Sequence, residues 1–142
     1  MQTTWNKRLL AICALLPLLA AAGRPPAIWM HDSLSGKWAI TITPNDDTRH
    51  AGERDIKDTI TFKQPNFTSE AFAKRGFPPA VYEEEMHPGG AGGFSVIQTN
   101  KVEAEGIAKW SGFIIATELT GDLVIKKKDG TVLNFSFTGT KQ

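Results

Sequence analysis

From Ser35 onward, apolar side chains return at every second position, the spacing that puts them on one face of a β-strand. Trp38, Ile40 and Ile42 share a face, with Lys37, Ala39, Thr41 and Thr43 on the other. Pro44-Asn45-Asp46-Asp47 predicts a turn. A second strand spans Asp58–Phe62, with Ile60 and Phe62 inward. Pro65-Asn66 interrupts it, and Phe67-Thr68-Ser69 begins a return. Glu70 to Arg75 predicts one short helical turn ended by Gly76. Strands follow at Ala80–Met86 and Phe94–Thr99, separated by a glycine-rich loop from His87 to Gly93. Ile107–Thr117 and Leu119–Lys127 continue the series. Lys128-Asp129-Gly130-Thr131 predicts a hairpin, because Asp-Gly suits a type I′ turn. Val132–Gly139 closes the chain with Leu133, Phe135 and Phe137 on one face.

About eight strands in sequential order, joined mostly by short connections, predict an all-β antiparallel meander closed into a small barrel. A two-sheet sandwich is the alternative and needs longer crossing connections. An eight-stranded barrel is filled by its own side chains or holds one small ligand. The interior set expected from the alternation, and the expected ligand-binding set, is Trp38, Ile40, Ile60, Phe62, Val96, Trp110 and Phe135. An apolar cavity would open near the Gly89–Gly93 loop, since mobile, glycine-rich connections suit a barrel mouth.

The start of the chain changes the compartment. Lys7 and Arg8 precede an apolar run from Leu9 to Ala22 that ends in three alanines. A basic segment, a hydrophobic segment and a small-residue cleavage site form a secretory signal peptide. The run is shorter than the about 20 residues of a membrane span, and Pro17 interrupts it. The expected organisation is therefore a signal peptide over 1–22, a Pro-rich linker over 23–34 in which Trp29 could dock on the domain, and a barrel domain over 35–142. The protein is expected to be secreted or periplasmic, with no membrane span after processing. Cleavage after Ala22 would take the net charge from +1 to one negative, because Lys7 and Arg8 leave while all fifteen acidic residues stay. That balance, without a basic stripe, argues against nucleic acid as a partner. The single cysteine, Cys13, lies in the leader, so the exported form would carry no disulfide. A lipid attachment at Cys13 is disfavoured by Ile12, where a small residue is required.

The chemistry-bearing residues give no catalytic or metal motif. His31, His50 and His87 are in predicted loops or the linker and lack the spacing of a zinc site. Solvated histidines are the simpler reading, against a surface site with Asp32, Asp46 or Asp47. Glu83 and Glu85 would face one way along their strand and Glu84 the other, so a carboxylate pair is available. A run of like charge more often marks a solvated edge. Asn45-Asp46-Asp47 lacks the spacing of a calcium loop. Ser33, Ser35 and Ser111 are outside any Gly-x-Ser-x-Gly elbow. The Gly89–Gly93 loop lacks the lysine and helix of a phosphate cradle. Asn66 and Asn134 match the glycosylation pattern, with Asn134 inside a predicted strand.

Ser35-Gly36-Lys37-Trp38 resembles the Gly-x-Trp signature of lipocalins and the wider calycin group. Gly36 and Trp38 carry over. The resemblance implies a barrel with the tryptophan at its closed end, often under a basic side chain from a late strand. Lys126, Lys127, Lys128 and Lys141 are the candidates for that partner. Residues from Ser35 to Thr140 also resemble small secreted β-proteins of environmental bacteria. The expected function is a secreted, non-catalytic barrel that binds a small apolar ligand or a partner, with no cofactor and no metal. The alternatives are a filled barrel acting through its surface, and a small secreted hydrolase or isomerase.

Overall fold

The structure, a computed structural model, describes residues 34–86, 92–100 and 106–142. The segment expected to be a signal peptide, most of the expected linker with Trp29, and the glycine loop from His87 through Ala91 lie outside the described residues. Eight strands and two short helices follow in chain order: β1 Gly36–Pro44, α1 Asp46–His50, β2 Ile56–Lys63, β3 Asn66–Ser69, α2 Glu70–Lys74, β4 Ala80–Met86, β5 Gly92–Thr99, β6 Ile107–Ile115, β7 Glu118–Lys126 and β8 Val132–Lys141. The strands form a closed antiparallel barrel in sequential order. β8 returns to β1 in a register running from Trp38 opposite Lys141 to Pro44 opposite Phe135. Closure leaves the meander without a free first or last edge.

The alternation sets the faces. In β8, Leu133, Phe135 and Phe137 are buried while Val132, Asn134, Ser136 and Thr138 are exposed. Leu34 is also buried in the core, and its carbonyl accepts the Trp38 indole N–H at 2.8 Å. The packed unit therefore includes Leu34.

Three local features differ from the expectation. Asn45 does not sit in a simple turn: its side chain caps α1 by accepting from the Thr48 N–H at 2.9 Å. Thr48 then accepts the Asn134 N–H, so the helix is pinned across the start of β8. At the last hairpin only Gly130 has a positive φ, of 91°, whereas a type I′ turn needs two such residues. The Gly130 N–H donates to the Lys127 carbonyl and the Lys127 N–H to the Thr131 carbonyl, giving a three-residue loop closed by a left-handed glycine. Third, Gly92 and Gly93 belong to β5, paired with Met86 and Glu85, and are not part of the loop.

β3 is the short wall element. It pairs with β2 only from Ser69 opposite Ile60 to Asn66 opposite Lys63, and with β4 through Asn66 and Phe67. Ser69 ends the strand and caps α2, accepting from the Phe72 N–H at 3.0 Å. α2 thus takes over where the strand stops. Its Phe72, with Phe77 just beyond, turns inward and is fully buried.

Candidate functional site

The barrel interior is the first place where a ligand was expected. All seven expected interior residues are buried in one continuous core: Trp38, Ile40, Ile60, Phe62, Val96, Trp110 and Phe135. They meet one another and further rings. Phe62 lies 4.7 Å from Phe94, 5.1 Å from Tyr82 and 5.3 Å from Phe67, measured between ring centroids. Trp110 lies 5.2 Å from Phe67, 5.4 Å from Phe72 and 5.6 Å from Phe137. These separations are those of directly packed aromatic pairs. Phe72 also reaches Phe135 at 6.5 Å, so the helix ring completes the packing between opposite walls.

Two glycines make room for this filling. Gly112 on β6 and Gly121 on β7 are paired in register at inward positions. A methyl group added at Gly121 would lie 2.5 Å from the tip of the Phe137 ring, and at Gly112 it would lie 3.0 Å from the rings of both Phe137 and Phe94. The rings, with the Ser111 carbonyl oxygen 2.2 Å from the first position and the Thr120 carbonyl oxygen 2.6 Å from the second, occupy the volume that two side chains would otherwise take. Sequence reasoning found the strand aromatics but not this complementarity, nor the roles of Phe72 and Phe77, which come from a non-alternating segment.

The buried polar groups in this core are committed to structure. The Trp110 indole donates to Gln98 Oε1 at 2.8 Å, and Gln98 Nε2 donates to the Pro78 carbonyl at 2.8 Å. Asn100 donates to the Arg75 carbonyl at 2.9 Å. These bonds tie the segment after α2 to β5 and satisfy groups that burial would otherwise penalise. At the end of the barrel holding Leu34, the Lys141 ammonium lies 5.8 Å from the centre of the Trp38 ring. Of the four candidate lysines, this is the one over the tryptophan.

Among the described residues, a concave feature lies outside the wall. A groove of about 430 Å³ is lined by Ala39, Ile40 and Thr41 of β1, Lys57, Asp58 and Thr59 of β2, and Glu70, Ala71 and Lys74 of α2. Ala39 is opposite Thr59, and Thr41 opposite Lys57, so these outward side chains form two neighbouring rows. The groove exists because β3 ends at Ser69 and a helix continues the wall beside β2. A helix is about 10 Å across, against about 4.8 Å between strands, so it cannot lie flush.

Asp58 is the buried charged side chain of the described core, 7 % exposed. Its carboxylate accepts from the Ser69 hydroxyl and from the Ala71 N–H at 2.9 Å. It therefore braces the first turn of α2 against β2. Burial pushes its pKa above the usual carboxylate value; the bonds from Ser69 and Ala71 pull the other way, and the nearby Glu70 charge adds to the rise.

The remaining candidates disperse. Glu83 and Glu85 are exposed and Glu84 is half-buried on the opposite face. Ser35 and Ser111 are exposed, and His50 sits in α1 with Nδ1 2.8 Å from the Asp46 carbonyl oxygen. His31, His87 and Ser33 lie outside the described residues. Among the described residues no three His, Cys, Asp or Glu side chains converge on one point. No family model, curated protein or solved structure matches the chain.

Proposed function

We propose that this is an exported, non-catalytic binding protein: a calycin-like barrel filled by its own side chains, which meets its ligand or partner on the outside of the wall. The observation that carries this reading is the continuous aromatic core, which reaches the Gly112–Gly121 pair through the Phe137 ring at both glycines and the Phe94 ring at Gly112. A barrel built to hold a ligand keeps apolar volume open inside; here that volume is taken from both walls. Export rests on the leader pattern at Lys7 to Ala22.

The test is titration of folded protein with an apolar fluorescent probe, beside a Phe135→Trp variant and a denatured control. The expected result is no saturable binding that depends on position 135. Saturable, stoichiometric binding weakened by Phe135→Trp would place a ligand inside the barrel and overturn the reading.

A further inference from the structure

We infer that the outer groove between β1, β2 and α2 is a binding site for a small anionic molecule, one carrying a carboxylate or a phosphate, held between Lys57 and Lys74. This inference rests on the surface-acting reading above. Its first support is size. A groove of about 430 Å³ falls within the range of about 300–1,000 Å³ found for small-molecule sites.

The second support is the placement of charge. Lys57 of β2 and Lys74 in the last turn of α2 both line the groove, from separate elements. Both side chains are exposed. Ion pairs among the described residues join other groups, Arg49 with Asp55 and Arg75 with Glu53. Thr41 and Thr59 add hydroxyl groups that can donate to an anion, and Ala39 and Ala71 keep the space shallow and open.

Two carboxylates share the lining. The Asp58 carboxylate is buried and turned to the helix, where Ser69 and Ala71 donate to it. Glu70 is exposed, one helical turn before Lys74, so the solvent-exposed part of the lining carries two lysines against one carboxylate, with Asp58 buried beneath them. The lining contains no aromatic ring on which a sugar would stack and too few apolar side chains to hold a lipid tail. Anion capture is what its two lysines and two hydroxyls can do together.

The experiment is an amide chemical-shift titration of the folded protein at low ionic strength, with sodium phosphate in one arm and sodium citrate in the other. Sodium chloride at matched ionic strength is the reference. Saturable shifts at Ala39, Thr41, Lys57, Thr59 and Ala71 are expected in at least one arm, and the arm that binds more tightly identifies the class. Lys57→Gln and Lys74→Gln should each weaken binding by about tenfold, the loss of one charge-assisted hydrogen bond. Glu70→Gln should tighten it. All three changes are at exposed positions, and unchanged melting temperatures would show that the fold is intact. Shifts equal to those from chloride, no shifts in either arm, binding that survives both lysine changes, or binding weakened by Glu70→Gln would each overturn the inference. Those results leave the filled-barrel reading standing, which falls only if the apolar probe enters the interior.

Discussion

Gly121→Ala is the sharpest probe of the filled interior. Gly121 sits in β7 opposite Gly112, and the added methyl group would fall 2.2 Å from the Ser111 carbonyl oxygen, 2.5 Å from the Phe137 ring and 2.7 Å from the Gly112 Cα. Two of these three obstacles are backbone atoms of β6, which cannot rotate away. Inserting a methyl group into a packed core usually costs about 1–3 kcal/mol. With backbone on one side and a ring held by Trp110 and Phe94 on the other, the upper end applies, about 3 kcal/mol. For a domain of this size that corresponds to a fall in Tm of about 10 °C. In an open strand position, alanine is better than glycine by about 0.5–1 kcal/mol; here the Ser111 carbonyl and the Gly112 Cα oppose the methyl group whatever fills the interior, so the share of the loss that comes from the ring is the informative part. Thermal and urea denaturation of the purified variant, at unchanged urea dependence, measures the difference. Adding Phe137→Leu should recover the part of the loss that comes from the ring and leave the backbone part. A Tm equal to or above that of the parent protein would refute the packing argument.

Trp38→Ala should cost about 3–5 kcal/mol, as for other buried large aromatics, since Trp38 is 2 % exposed and its indole N–H is bonded to Leu34; an unchanged denaturation midpoint would show that it does not close the barrel. Lys141→Met should cost far less, about 0.5–1 kcal/mol, because the cation over the ring is at an exposed site. Asp58 has a raised pKa in the folded protein, so its contribution is fully present below the ordinary value of 3.8 and is lost as pH rises through the raised one. Relative to Asp58→Asn, the parent protein should therefore lose stability as pH increases across that window, and a flat difference between the two denaturation curves would contradict the assignment. Secreted protein should begin at or within a few residues of Gly23 and lack a thiol, which N-terminal sequencing and intact mass would check; a chain starting at Met1 or lipidated at Cys13 would refute it.

Strand positions were legible because a two-residue period is local information. Ala80–Met86 has the bounds that its flanking prolines and glycines predict, and β8 keeps Leu133, Phe135 and Phe137 inward along its length. The seven interior residues could be named for the same reason: each lies on the apolar face of an alternating segment. The helical turn at Glu70 was also local, ended by the glycine after it. α1 was hidden because Asn45 and Asp46 serve a turn and a helix cap equally well, and the contact of Thr48 with Asn134, far along the chain, selects the cap. The hairpin at Asp129-Gly130 was found but its geometry was not, since a three-residue loop with one left-handed glycine uses the same dipeptide.

By itself, then, the sequence determined an alternating all-β chain, its faces and the order of its strands. The tertiary structure decided which of four lysines lies over Trp38, that the rings of β5 and β8 close on two inward glycines, and that a groove forms outside the wall. Each of these depends on the register between strands distant in the chain or on β3 being only four residues long. No pattern within one strand reports where a neighbouring strand stops. Closing the barrel turns that mismatch into a helix beside β2 and a groove lined by Lys57 and Lys74.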